Sequence, residues 1–127
     1  MSKLFNLDEA NRLLKQIRPW MDEVLDIHKQ IMDSQPELWP AIERAAGNGG
    51  SPVLSKVTDK FDRLDHLLHQ IQATGVLVKD LSTGLLDFPA MRGDQEVYLC
   101  WKHGETSIEF WHDMESGFAG RQPIGSF

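Results

Sequence analysis

A chain of 127 residues, 41% hydrophobic and 25% charged, has the composition of one globular domain and can bury a core without metal or disulfide. Its formal net charge of -6 and its singly scattered lysines and arginines leave no basic stripe for a phosphate backbone, which argues against nucleic-acid binding. The single cysteine, Cys100, cannot form an internal disulfide, no signal-peptide pattern opens the chain, and no apolar run approaches the about 20 residues of a membrane span, so a cytoplasmic location is the expectation.

The first expected element is a long amphipathic helix. Leu13, Leu14, Ile17, Met21, Val24, Leu25, His28, Ile31 and Met32 recur at three- and four-residue steps. Asn6 with Glu9 three residues later is a capping box, which places the helix start near Leu7. Pro19 removes one backbone donor and crowds the preceding turn, so a kink or break is expected near Ile17. Ser34, Pro36 and Glu37 mark another helix start, with Leu38, Trp39 and Ile42 as core candidates; Pro40 keeps that piece short, and Gly47-Asn48-Gly49-Gly50 is a flexible connector. Ser51-Pro52 then opens a second long helix striped by Val53, Val57, Phe61, Leu64, Leu68 and Ile71 and closed before Gly75.

Past Gly75 the apolar period drops from 3.6 to about 2. Four strands are expected: Val76 to Asp80, Leu85 to Met91, Glu96 to Lys102, and Ser107 to His112. Ser82-Thr83-Gly84 fits a three-residue hairpin loop, and Gly93-Asp94 and Gly104-Glu105 fit two-residue turns with glycine first. The expected fold is therefore α+β, an antiparallel pair of long helices packed on a four-stranded antiparallel β-meander. It forms one domain over 1–127, with a helical half at 1–74, the meander at 75–113 and a C-terminal loop at 114–127.

Those turns imply a register. One face carries Val76, Val78, Asp80, Leu86, Phe88, Ala90, Val97, Leu99, Trp101, Ile108, Phe110 and His112, and should pack on the helices. The other carries the cross-strand row Lys79, Asp87, Cys100 and Glu109, beside the row Leu77, Pro89, Tyr98 and Trp111.

Three polar sets could carry chemistry. Carboxylates of Asp87 and Glu109 beside the Cys100 thiol are candidate metal ligands, and Cys100 is also a candidate thiol sensor; the plainer alternative is a solvated face with a Lys79–Asp87 ion pair. Asp80 and His112, on the helix-facing side near Trp101, are candidate acid, base or metal groups, or else hydrogen-bonded residues at the core edge. Asp62, Asp65, His66 and His69 share one face of the second helix, which suits zinc or an ordinary polar stripe. In the tail, Phe118 sits between Gly117 and Gly120, followed by Arg121, a candidate anion contact. No Walker loop, dinucleotide glycine motif, nucleophile elbow or Cys-x-x-Cys is present.

Several segments resemble a small bacterial family, the domain of unknown function 2203: Val78-Lys79-Asp80, Gly84-Leu85-Leu86-Asp87-Phe88-Pro89, Leu99-Cys100-Trp101, Gly104-Glu105, Trp111-His112 and Gly117-Phe118-Ala119-Gly120-Arg121, with Asp8-Glu9-Ala10-Asn11 and Arg18-Pro19 upstream. The resemblance spans nearly the whole chain and implies a bacterial source but no activity. The family's patterned polar positions match Asp80, Asp87, Cys100, Glu105, His112 and Arg121, which the register above does not bring to one face. The leading expectation is a binding module that self-associates, as a dimer, through Leu77, Pro89, Tyr98 and Trp111. No cofactor is identified from the sequence. The alternatives are a divalent-metal enzyme or metal-binding protein using Asp80, Asp87, Cys100, Glu109 and His112, with Glu105 and Arg121 as ligand contacts, and a thiol sensor through Cys100.

Overall fold

The computed structural model describes residues 3–34, residue 40 and residues 52–126, the side chains of 52–54 and 126 excepted. The expected helix start at Ser34, its core residues Leu38, Trp39 and Ile42, and the glycine connector lie wholly or largely outside the described residues.

Helix α1 spans Leu7–Asp33, and its capping box forms as expected: Asn6 Oδ1 accepts from the Glu9 N–H at 2.8 Å, and Glu9 Oε1 accepts from the Asn6 N–H at 3.2 Å. Pro19 does not break it. Pro19 and Lys15, whose carbonyl loses its helical partner, both lie on the exposed side, where water can take the freed group. The buried stripe is Ala10, Leu14, Ile17, Met21, Val24, Ile27 and Ile31; Ile27 replaces the expected Met32, which is exposed. Helix α2 spans Pro52–Ala73 and buries Val57, Leu64, Leu67 and Ile71, while Phe61, placed in the stripe by periodicity, is 50% exposed. Glu23 and Arg63 bridge the middles of the helices, and Lys3 and Phe5 lie against Gly75 just past the end of α2, so the two run in opposite directions.

The sheet has five antiparallel strands in sequence order: β1 (Leu77–Asp80), β2 (Leu85–Arg92), β3 (Gln95–Lys102), β4 (Phe110–Asp113) and β5 (Gln122–Pro123). The fifth strand corrects the expected count of four. Its two residues pair with Phe110 and Trp111, so part of the expected C-terminal loop is sheet edge. Two 3-10 turns, Phe118–Gly120 and Ile124–Ser126, flank it.

The β2–β3 register is the expected one, with Asp87 opposite Cys100, Pro89 opposite Tyr98 and Arg92 opposite Gln95. Gly93 supplies the positive φ, 63°, that its two-residue turn demands. The other two registers differ. The β1–β2 link has four residues, Leu81 to Gly84, in place of the expected three, and an irregularity between Val78 and Asp80 adds one more, so Leu77, not Lys79, stands opposite Asp87. On the far side β4 is one residue out of the expected step, with Cys100 opposite Phe110 and Tyr98 opposite His112. A one-residue slip exchanges the faces of a strand. Trp111 accordingly lies beside Leu99 in the core, 9% exposed, while His112 and Phe110 move to the opposite face.

The cause of that slip is the β3–β4 connection. Gly104-Glu105 is not a two-residue turn; β4 begins only at Phe110. The segment is bonded to α1 and to itself instead of zipping onto β3. Arg18 Nη2 donates to the carbonyls of Glu105 and Thr106, and the Ile108 N–H donates to Asn11 Oδ1 at 2.9 Å. Trp101 Nε1 donates to the Glu105 carbonyl at 2.9 Å, and Glu105 Oε1 accepts from the Lys102 N–H at 2.6 Å. One apolar core then joins both helices to the sheet, with Trp101, Phe88, Leu86 and Leu99 essentially inaccessible. Each such side chain contributes about 1.5–3 kcal/mol on burial.

Candidate metal centre

On the sheet face away from that core, β2 contributes Asp87, β3 Cys100 and β4 His112. Alternation puts Asp87 and Cys100 side by side, and the observed β4 register adds His112 diagonally, one pair along. His112 Nε2 lies 2.9 Å from Asp87 Oδ1. Asp87 and His112 are 2% exposed and Cys100 is fully buried. One ligand atom from each of the three falls within 4.8 Å of the others, the one such group of three or more among the described residues.

The hydrogen bonding fixes the ring. His112 Nδ1 lies 2.7 Å from the Asp113 carbonyl, which can only accept, so Nδ1 carries a proton and Nε2 is the nitrogen aimed at Asp87. Nε2 and a carboxylate oxygen at 2.9 Å must share a further proton or a cation, since two lone pairs would repel. The Tyr98 ring flanks the imidazole at 5.4 Å, with the Lys79 ammonium 5.1 Å from the same ring. Lys79 therefore does not make the expected ion pair with Asp87; His112 does.

Cys100 is held as a thiol. Burial pushes its pKa up, the Asp87 carboxylate pushes it further, and Arg121 offsets only part, for a value of about 12. A reactive cysteine needs the reverse, an exposed and electropositive setting. The surroundings of Cys100 do not favour a thiol sensor, whereas a bound metal would remove the thiol proton outright.

Arg121 closes the end of the site. Nη2 donates to Glu105 Oε1 at 2.7 Å and to the Cys100 carbonyl at 3.3 Å. The guanidinium is stacked between Phe110 at 4.1 Å and Phe118 at 4.8 Å. Burial pulls its pKa down, but Glu105 and Cys100 outweigh that and the net shift is upward. Glu105 and Arg121, both expected as ligand contacts, so contact each other. Phe118 is exposed on one side and does not plug the core.

The other candidates separate from this site. Asp80 holds its own turn, accepting from the Ser82 N–H and hydroxyl and the Thr83 hydroxyl, and these bonds, Ser82 foremost, hold its pKa below the usual carboxylate range. It does not take the Trp101 indole, which goes to Glu105. Glu109 is exposed and accepts from Thr106. His69 and Asp65 pair with each other on the exposed face of α2, and Asp62 and His66 are exposed beside them. Of the four expected interface residues, Pro89 and Trp111 are buried within the chain, and Leu77 and Tyr98 stay half-buried. Asn11 and Arg18 entered the sequence reading only as part of the family resemblance, with no role assigned; a further signal was their place as polar residues on the sheet-facing side of α1.

The fold and this cluster define a class: an α+β protein whose antiparallel sheet, backed by two helices, buries an aspartate, a cysteine and a histidine together on its second face. The chain belongs to the DUF2203 family, described as an uncharacterized conserved protein, whose model matches residues 3–124. No curated protein and no solved structure matches it. Among the described residues no helix is long and apolar enough to cross a membrane.

Proposed function

We propose that this protein binds a divalent transition metal, zinc by ligand preference, through Asp87 Oδ1, Cys100 Sγ and His112 Nε2. The observation that carries the reading is the convergence of three different ligand types within 4.8 Å in a buried site, with the histidine already oriented by a backbone carbonyl. An Nδ1–H bonded to a carbonyl is the usual support of a metal-bound Nε2. Thiolate, imidazole and carboxylate together suit zinc or cobalt(II) over magnesium or calcium. Tetrahedral zinc spaces its ligand atoms roughly 3–4 Å apart, so small side-chain rotations complete the set. Three protein ligands leave a fourth position, the pattern of a catalytic rather than a closed structural centre.

Binding should expel two protons, the one between Nε2 and Asp87 and the one on Cys100. Calorimetry of zinc titrations in buffers of different ionisation heat should therefore show about two protons released per zinc, with affinity climbing as pH rises. His112→Gln and Cys100→Ser should each abolish stoichiometric zinc in the purified protein. A metal-free protein whose melting temperature ignores zinc, cobalt and nickel would reject the reading.

A second reading is self-association across the same face. It is supported by half-buried Leu77 and Tyr98 and by Met91, 41% exposed and two residues past Pro89 on the same side of β2. A single monomeric species in sedimentation velocity at high micromolar concentration would dismiss it.

A further inference from the structure

Resting on the metal reading, we propose that the fourth position takes the carboxylate of a small organic acid, gripped by Arg121 and admitted beside Lys102 and Phe118. A guanidinium holds a carboxylate best along its Nε–Nη2 edge, through two parallel hydrogen bonds. In Arg121 the Nη2 half of that edge is already spent on the protein, so a ligand oxygen would take Nε alone. Nη2 is bonded to Glu105 and to the Cys100 carbonyl, while Nε is buried with no partner. A buried donor left unpaired carries a desolvation cost that a ligand oxygen would relieve. The neighbouring Glu105 shows that a carboxylate fits against this guanidinium, at 2.7 Å.

A groove lies beside Arg121, with Phe118 between them. Leu85 and Lys102 face each other across β2 and β3 one same-face step along from Asp87 and Cys100. With Asp80, Thr83 and Phe118 they line a groove of about 160 Å³. That volume is below the range of cofactor pockets and suits a small molecule. Phe118 forms one wall, with the Lys102 ammonium 5.6 Å and the Arg121 guanidinium 4.8 Å from its ring. Two cations therefore lie against its aromatic wall, one of them, Lys102, in the groove's own lining. Its one acid, Asp80, already accepts from Ser82 and Thr83.

Cobalt(II)-loaded protein titrated with propionate tests this, with inorganic phosphate as the comparison anion. Propionate should shift the visible cobalt bands saturably, and phosphate should do so far more weakly. Arg121→Gln should weaken the propionate response about tenfold or more, measured against that variant's own cobalt spectrum without propionate. Arg121→Lys keeps the charge but loses the edge, and should show the same loss; it serves if the glutamine variant does not fold. Lys102→Gln should weaken the response by less. A wild-type protein that takes up no cobalt overturns the metal reading and this one with it. Cobalt bands that ignore propionate overturn this inference alone, as does an Arg121→Gln or Arg121→Lys response equal to wild type. An equal response to phosphate overturns the carboxylate assignment.

Discussion

The connections on the two sides of β3 differ in what decides them. Between β2 and β3 the link is Gly93-Asp94, held by backbone geometry and the alternation of its strands, and its register follows from local chemistry. Between β3 and β4 the link includes a similar glycine, Gly104, yet Glu105 is turned back onto Lys102 and Trp101, and α1 takes hold of Glu105, Thr106 and Ile108. The result is a one-residue change in register that carries His112 from the core face to the site. A local turn signal loses to distant donors and acceptors when several are satisfied together.

The largest test of that difference lies at the contact the slip creates. Asp87→Ala leaves a buried imidazole without its carboxylate and should cost about 3–5 kcal/mol in urea denaturation of the metal-free protein. Asp87→Asn should cost less, since the amide oxygen still accepts from Nε2. A loss near zero for both would mean that the pair does not hold β4 in place.

The anchors on α1 come next. Arg18→Ala should cost about 2 kcal/mol and Asn11→Ala about 1 kcal/mol, the worth of a charged and a neutral hydrogen-bonding group. In both variants amide exchange should speed up at Ile108 and along β4 while β2–β3 amides stay protected. Equal loosening of both hairpins would erase the contrast.

A smaller cost is expected on the local side. Gly93 adopts a positive φ with open space around it, so Gly93→Ala should cost about 1 kcal/mol through backbone conformation alone and leave the register intact. The mildest effect concerns pH. Cys100 binds its proton more tightly folded than unfolded, so its contribution is complete below the unfolded thiol pKa of about 8.5 and is lost as pH rises toward about 12. The metal-free protein should weaken across that alkaline window, and Cys100→Ala should flatten the decline.

Much of the fold was legible because its signals are local. The capping box of Asn6 and Glu9, the apolar spacing of Leu14, Ile17, Met21 and Val24, and the glycine at position 93 each act within a few residues. They were enough for both helices, the meander and the pairing of Asp87 with Cys100. Periodicity mistook Phe61 and Met32 for core residues because a helix face wider than its partner leaves an exposed rim. The two-residue strand at Gln122 was invisible because nothing in so short a stretch alternates. The site was half legible: Asp87, Cys100, His112, Glu105 and Arg121 were all candidates, but scattered over two faces.

Sequence alone determined which residues could build helices and strands, since propensity, capping and turn geometry are properties of neighbours along the chain. Tertiary structure alone decided that His112 meets Asp87 and that Arg121 meets Glu105. A strand's face depends on a single residue of register, and that residue was settled by Arg18 and Asn11, some ninety positions away, satisfying backbone groups that the turn left unbonded.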